Sequence, residues 1–281
     1  MTELKEILSK IREIPPLPNI ALKVIRTTSK PDVSVRDIID VVRLDQGLVG
    51  KILKLCNSSY FGLRRTVDSL QSALVLLGDT ALINTVLNSC SSDFLQKNVT
   101  GYDLRRGELW RHSVGCAFAS HSLSEKVHTT NKDVVYTAGL LHDIGKIALN
   151  AFMTEKFGEI VKRVQESDAE FITIEKELLG YHHGEIGAMI AQNWKFPDVI
   201  IDAVRYHHEP EKAEVDKEVT FIVHIGDILS LMLGYGCGVA GLHYQFHRDA
   251  IKHFDVSDDM IERISADVVE AVAKADEFLK L

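Results

Sequence analysis

Residues 138–147 (AGLLHDIGKI) place an imidazole, a carboxylate and an ammonium group inside an otherwise apolar segment. If this segment is helical, Lys146 lies four positions after His142 and three after Asp143, so the three polar groups share one side of the helix. A carboxylate buried beside a neutral imidazole is strongly unfavourable unless a cation partner or a metal ion balances it. Lys146 supplies one such partner, and a bound metal ion would supply another.

Further histidines and one more acid extend this pattern over about half of the chain. Each lies in a segment with helical periodicity, in the order His112, His142–Asp143, His183, His207–His208 and Asp227. In helical bundles, sites of this kind are assembled from side chains on facing helices. A single histidine in an apolar segment is more often an ordinary core residue than a ligand, so it is the whole set that indicates a site. His182 and His224, which neighbour members of the set, are left open.

The donor set indicates a divalent metal. Imidazole nitrogens combined with carboxylates suit iron, manganese, zinc or nickel better than magnesium or calcium, which prefer oxygen ligands. A carboxylate such as Asp143 can bridge two ions, and a water held between two ions loses a proton near neutral pH and can attack a phosphoester. Lys146 would offset the charge that develops on a phosphoryl oxygen. Asp143 and Lys146 are therefore the predicted catalytic residues.

Glu108 is a further candidate, because it lies four residues before His112 on a helix predicted over residues 104–127. Its carboxylate would either join the metal site or hydrogen-bond an imidazole and orient it. The sequence leaves both roles open.

Composition excludes several other classes of protein. The 281 residues are 46% apolar and 26% charged, as in ordinary globular proteins. The longest apolar runs, residues 73–77 and 81–87, are interrupted by Gly78, Asp79 and Asn84, so none reaches the roughly 20 residues of a membrane span. The N-terminus lacks the basic-then-apolar layout of a signal peptide, which predicts a cytoplasmic protein with no membrane partner. The four cysteines show no Cys-x-x-Cys spacing, which argues against a zinc knuckle or a disulfide framework.

The charge of the chain argues against nucleic acid as a partner. The formal net charge is -8, whereas non-specific affinity for nucleic acid comes from clustered Lys and Arg that neutralise phosphates. One basic cluster exists, formed by Lys51, Lys54, Arg64 and Arg65, and we interpret it as the solvated edge of a helix.

Helical periodicity and turn residues predict an all-α fold in two parts, since no alternating strand pattern of useful length is found. Short helices are predicted in the first part at residues 2–14, 19–29, 35–44, 45–58, 70–77 and 79–95. Prolines in residues 15–18 end the first of them, and Asp45 and Ser69 each begin one. The polar segment 97–103 marks the boundary between a part at 1–100 and a part at 101–281. In the second part, longer helices are predicted, among them 104–127, one that runs without interruption from about 131 to 153, 219–233 and 258–279.

The order of the ligand-type residues resembles that of the HD superfamily of metal-dependent phosphohydrolases. Residues 142–146 (HDIGK) and 183–188 (HGEIGA) are similar to its cyclic-di-GMP phosphodiesterase branch, the HD-GYP proteins, but the chain continues after Glu209 without the Gly-Tyr-Pro segment of that branch. The first part carries motifs of a related family, the HDOD proteins, which are HD-related output domains of bacterial signalling. These motifs are residues 14–18 (IPPLP), 45–48 (DQGL), 51–58 (KILKLCNS) and 72–78 (SALVLLG).

The resemblance implies an HD-domain-like helical bundle with an N-terminal helical subdomain. It also implies a two-metal site, with iron or manganese favoured over zinc or nickel, and Glu108 as a ligand if a third ion binds. The implied ligands of the two-metal site are His112, His142, Asp143, His183, His207, His208 and Asp227. Many HDOD proteins have lost such ligands and act as regulatory output modules, whereas this chain keeps them.

Two expectations about function follow. In the first, the chain is a bacterial signalling protein with a di-metal centre that hydrolyses a phosphoester or nucleotide. In the second, it is a non-catalytic output module whose metal is structural or sensory and whose partner is a signalling protein. The retained ligands favour metal binding in both cases.

Overall fold

The structure, a computed structural model, describes residues 6, 7, 9, 11, 19–28, 35–57, 67–129, 132–166, 170–239 and 245–279. Within these ranges every regular element is a helix, and strand-type pairing is limited to an isolated antiparallel bridge between Val99 and Leu104. The predicted all-α class is confirmed. In the same ranges no single helix has the length and apolar character of a membrane span. The two helical segments Leu70–Leu77 and Asp79–Ser92 would be long and apolar enough only if taken together, and they are bent by 113° relative to each other.

The first part consists of short helices. They are α1 (Asn19–Thr28), α2 (Val35–Val42), α3 (Gln46–Cys56), α4 (Leu70–Leu77) and α5 (Asp79–Leu95). Helices α3 and α4 are shown to begin at a side-chain cap. The side chains of Asp45 and Ser69 accept hydrogen bonds from Leu48 N at 3.0 Å and Ser72 N at 3.1 Å, which satisfies donors that a helix start leaves open. Gly78 separates α4 from α5 with a φ of 78°, a conformation that glycine adopts without strain.

Part of the predicted first segment lies outside the described residues. Residues 6, 7, 9 and 11 are helical, as the pattern over residues 2–14 predicts, whereas the proline-rich end at residues 15–18 is not described. Lys51 and Lys54 lie exposed on α3, and the other members of the basic cluster, Arg64 and Arg65, also lie outside the described residues.

The second part begins with a short 3₁₀ turn at Thr100–Tyr102 and has a second one at Pro210–Lys212. Its helices are α6 (Glu108–Lys126), α7 (Lys132–Leu141), α8 (Gly145–Glu155), α9 (Phe157–Glu166), α10 (Phe171–Leu179), α11 (His183–Asn193), α12 (Asp198–Tyr206), α13 (Lys217–Met232), α14 (Arg248–His253) and α15 (Asp258–Leu279).

The prediction of one uninterrupted helix up to residue 153 is wrong, because the α-helical hydrogen-bond pattern is interrupted between α7 and α8. The turn comprises residues 142–144 and is closed by a hydrogen bond from Lys146 N to Asp143 O at 3.0 Å. Helix α11 packs directly against this turn: a Cβ atom on Gly145 would lie 1.9 Å from His183 O. Any side chain at this position would collide with the neighbouring backbone, so the glycine permits the close approach of the two segments.

Helix α6 is the centre of the second part. It packs against α7, α13 and α15, and almost all of its side chains from Leu109 to Ser124 are buried. Helix α1 packs on α7, and α5 packs on both α6 and α7. Buried apolar side chains from both parts therefore form one continuous core. The division of the chain at residue 100 stays a prediction.

Candidate metal centre

Five segments bring seven of the predicted site residues to one place in the core. They are His112 on α6, His142 and Asp143 in the turn between α7 and α8, His183 at the start of α11, His207 and His208 directly after α12, and Asp227 on α13. Their side chains are at most 4% exposed. Residues far apart in the sequence thus meet in a site that bulk water barely reaches.

The donor atoms of these residues form two groups. One group is His112, His142 and Asp227, and the other is Asp143, His183, His207 and His208. Within each group the donor atoms lie within 4.8 Å of one another. Asp143 faces both groups, because its Oδ1 is 3.2 Å from His183 Nε2 and its Oδ2 is 3.3 Å from His112 Nε2. This is the position of a carboxylate that bridges two ions.

The histidine rings are held with one nitrogen facing the centre. Backbone carbonyl oxygens of Tyr235, Gly139 and Val204 accept hydrogen bonds from Nδ1 of His112, His142 and His207 at 3.1, 2.7 and 2.8 Å. With the proton on Nδ1, Nε2 of a neutral ring carries a lone pair that points into the site. The Nε2 atoms of His112 and His142 are 3.1 Å apart, and those of His183 and His208 are 2.9 Å apart. Lone pairs at these distances repel unless a proton or a cation lies between them, so the donor set fits metal ions.

The charge state of the site also fits cations. Burial, reinforced by the neighbouring imidazoles, lowers the pKa of His207 well below its ordinary value, so this ring is neutral and able to act as a ligand. Burial alone would raise the pKa of Asp143, but the Lys146 ammonium together with the imidazoles of His142, His112 and His183 outweighs it and holds that pKa well below its usual range. The buried Oδ2 of Asp227 accepts no hydrogen bond from any residue that the structure describes. Buried carboxylates in such surroundings are normally paired or bound to a metal.

Lys146 forms the ion pair that its spacing from Asp143 predicts. Its Nζ donates a hydrogen bond to Asp143 Oδ2 at 2.6 Å, and both side chains are buried. The same ammonium lies 5.7 Å from the centre of the Tyr102 ring. One oxygen of the candidate bridging carboxylate therefore carries a permanent positive neighbour, and the catalytic role of Lys146 stays a prediction.

Comparison with known proteins identifies the family. The family model of the HDOD domain matches residues 14–210, well over half of the chain. The chain belongs to the HDOD domain family. A crystal structure of an HDOD domain protein of unknown function from Geobacter sulfurreducens is 26% identical, with a TM-score of 0.75, and the match covers 98% of this chain and 99% of that one.

Two curated relatives are similar to this HDOD chain over part of their length. An uncharacterized protein of Treponema pallidum is 27% identical over 205 residues, which are 72% of this chain and 39% of the relative. Ribonuclease Y of Aquifex aeolicus is 30% identical over 101 residues, which are 35% of this chain and 16% of the relative. The chain therefore spans less than two fifths of the length of either protein.

Glu108 belongs to neither donor group of the candidate metal centre in this HDOD protein. Its carboxylate accepts a hydrogen bond from Arg105 N at 2.6 Å, because Glu108 is the first residue of α6 and lies beside backbone donors that the helix start leaves open. His112 is oriented by Tyr235 O instead. Neither the third-ion role nor the orienting role predicted for Glu108 is therefore seen in its contacts.

Glu175 is a residue of the site that the sequence analysis missed. It is fully buried on α10 and accepts hydrogen bonds from His183 Nδ1 at 2.6 Å, from His183 N at 3.1 Å and from the Tyr102 hydroxyl at 2.5 Å. Burial would raise the pKa of Glu175, but His183 and Tyr102 lower it, so the group is a carboxylate. Burial would lower the pKa of His183, but the Glu175 charge raises it above the ordinary value. Glu175 therefore fixes the ring of one predicted ligand.

The two histidines that the sequence left open are supporting residues. His182 caps α11, since its Nδ1 accepts a hydrogen bond from Gly184 N at 3.2 Å. His224 donates from Nδ1 to His207 O at 2.7 Å and accepts at Nε2 from His247 N at 2.8 Å. His224 thus holds the backbone that presents His207.

Proposed function

We propose that this HDOD protein is a metal-dependent phosphohydrolase of a bacterial signalling system, with two divalent ions and a small phosphoester or nucleotide as its substrate. The observation that carries the proposal is the position of Asp143, with one carboxylate oxygen toward each group of imidazoles. The partial similarity to a ribonuclease supports phosphoester chemistry. A small substrate is favoured over a nucleic acid polymer because the chain carries a net charge of -8.

The side chains have separate roles in this proposal. Asp143, His183, His207 and His208 would hold one ion, and His112, His142 and Asp227 would hold the other together with the second oxygen of Asp143. The imidazole and carboxylate donors favour iron or manganese, followed by zinc or nickel. Bound ions of this kind act as Lewis acids and lower the pKa of water to near 7. Lys146, adjacent to the bridging carboxylate, offsets negative charge on a phosphoryl oxygen.

Hydrolysis tests the proposal directly. Protein loaded with iron or manganese is expected to release phosphate or nucleotide from at least one member of a panel of phosphomonoesters, dinucleotides and cyclic dinucleotides. Asp143→Ala, purified and loaded in the same way, is expected to fall to the rate of the protein-free control, because the carboxylate shared by both groups is gone. Equal turnover by the wild type and the variant would assign the activity to a contaminant.

A second function, a non-catalytic output module with a sensory or structural metal, is favoured by the burial of the site. With donor side chains at most 4% exposed, a substrate has little direct access to the ions. In this case metal binding raises the unfolding temperature, the phosphoester panel stays unreactive with both wild type and Asp143→Ala, and a signalling protein is the partner.

Metal binding is expected to depend on pH in a defined direction. His183 has a raised pKa in the metal-free protein, so it holds a proton that has to leave when its Nε2 becomes a ligand. His207, with its lowered pKa, has no proton to release. The pKa of His142 is raised well above its ordinary value, so this ring also has a proton to release. Metal affinity is therefore expected to rise with pH until the raised pKa values of both rings are passed. Calorimetry in two buffers of different ionisation enthalpy should show net proton release on metal binding that declines as the pH rises through these values; proton uptake would contradict this.

A further inference from the structure

A cavity of about 470 Å³ lies between the two parts of the chain, and it shares no residue with the metal centre. Its walls come from α3, α4 and α5 of the first part and from α6 and α15 of the second. Leu55, Leu77 and Phe118 supply apolar surface, and Ala271 and Ala275 of α15 form the opposite side. Its volume is within the usual range for small-molecule sites, which are often found where separate parts of a protein meet.

Asn84 is the feature of this cavity that the fold does not explain. It interrupts the apolar run 81–87, lines the cavity and is only 4% exposed, yet its side-chain amide makes no hydrogen bond to any residue in the described ranges. The neighbouring polar residues are satisfied: Thr85 Oγ1 donates to Ala81 O at 2.7 Å, and Asn88 Oδ1 accepts from the Tyr136 hydroxyl at 2.9 Å. Neither amide atom of Asn84 is fully shielded, so both open onto the cavity, where a ligand can hydrogen-bond to them in place of water.

We propose that this cavity is a binding site for an uncharged small molecule that has an apolar body and a planar donor–acceptor group, such as a carboxamide or a lactam. The Asn84 side chain presents an N–H donor and a carbonyl acceptor side by side, and a group of the same kind satisfies both at once. The apolar walls accommodate the rest of the ligand.

Charges at the mouth of the cavity favour a neutral ligand over an anion. Asp267 accepts a hydrogen bond from Ser122 Oγ at 2.7 Å, and Glu270 forms an ion pair with Lys274 at 2.7 Å. Asp267 also lies 3.7 Å from Lys126 Nζ, so each acid at the mouth is paired with a lysine and the two pairs carry no net charge. A charged ligand would therefore find no unpaired counter-charge at the entrance, whereas a neutral one needs none.

The test uses benzamide and toluene, which have the same ring with and without a carboxamide. In the 281-residue chain, benzamide is expected to shift the side-chain amide resonance of Asn84 in ¹⁵N–¹H spectra. Asn84→Leu, which keeps the size of the side chain, is expected to bind benzamide at least tenfold more weakly and toluene with little change. Ala81→Phe places an aromatic ring at the cavity wall and is expected to weaken both ligands, whereas Thr80→Phe, an exposed neighbour on the same helix, is expected to weaken neither.

Three results would overturn the proposal. The first is an unchanged Asn84 resonance with benzamide and with δ-valerolactam up to their solubility limits. The second is equal affinity of benzamide for the wild type and for folded Asn84→Leu, with folding checked by circular dichroism. The third is a shift of the same resonance on raising protein concentration alone, which would assign the cavity to contact with a second copy. Because none of these variants touches a metal ligand, bound metal is expected to stay constant throughout.

Discussion

Asp143→Ala is expected to remove metal from both donor groups at once. Each oxygen of this carboxylate faces a different group, with Asp143 Oδ1 near His183 and Oδ2 near His112, so its loss takes a donor atom away from both. Elemental analysis of protein purified without added metal is the measurement. The wild type is expected to carry up to two iron or manganese ions per chain, and the variant close to none.

The same substitution is expected to destabilise the metal-free protein. Lys146 would be left buried without its partner, and breaking a buried ion pair in this way costs about 3–5 kcal/mol. Denaturant unfolding of metal-free wild type and variant measures this difference without a contribution from bound ions. If Asp143→Ala fails to fold, Asp143→Asn keeps the shape of the side chain and tests the same loss of metal.

Asp202→Ala is the matched control for Asp143→Ala. Asp202 is also a buried aspartate, but its carboxylate accepts hydrogen bonds from Glu214 N and Val215 N, both at 2.9 Å, and belongs to neither donor group. This variant is expected to lose stability and to keep its metal. Equal metal content in Asp143→Ala and wild type would contradict the bridging role of Asp143.

Glu175→Ala is expected to weaken metal binding by about 10–100-fold in the group that contains His183 and to leave the His112 group occupied. Glu175 holds His183 through two hydrogen bonds, one from the ring Nδ1 and one from the backbone N–H, and is itself held by the Tyr102 hydroxyl. Tyr102→Phe removes only that outer bond, so its effect is expected to have the same direction and a smaller size. Competition with a chromophoric chelator measures the affinity of each ion.

Glu185→Ala is the control for Glu175→Ala: it also removes a carboxylate near His183, but not the one that orients the His183 ring. Glu185 lies two positions after His183, and it accepts a hydrogen bond from His182 N at 3.1 Å in the cap of α11. Its loss is expected to lower the stability of α11 without changing the affinity for either ion. If Glu175→Ala and Glu185→Ala behave alike in the chelator assay, Glu175 supports the fold and does not position His183.

The predictable part of the site rests on acids and imidazoles in apolar helical segments. Asp227 lies in such a segment, and its burial on α13 is what that pattern predicts. Glu175 differs because it is followed by Lys176 and Glu177, so its surroundings in the sequence look like the solvated face of a helix. Glu175 is buried because α10 packs against Tyr102 and His183. Tyr102 lies 73 residues before Glu175 in the sequence, so a local pattern does not predict their contact.

The break at residues 142–144 shows a second limit of the sequence. A single glycine such as Gly145 is tolerated inside a helix, so it does not by itself predict a turn. The turn becomes necessary because α11 approaches the start of α8 at backbone distance, which is a property of the assembled bundle. Helix caps such as Asp45 and Ser69 are predictable because they act through residues only three positions away.

The missing side chain at Gly145 has a practical consequence for anyone who wishes to transplant this centre into another helical scaffold. The seven donor residues cannot be copied alone. The distance between the Asp143 turn and the first residue of α11 is set by direct backbone contact between Gly145 and His183. Even an alanine in place of this glycine would act as a spacer between the two halves of the centre. A successful graft therefore has to import the contact surface of the two backbones along with the donors.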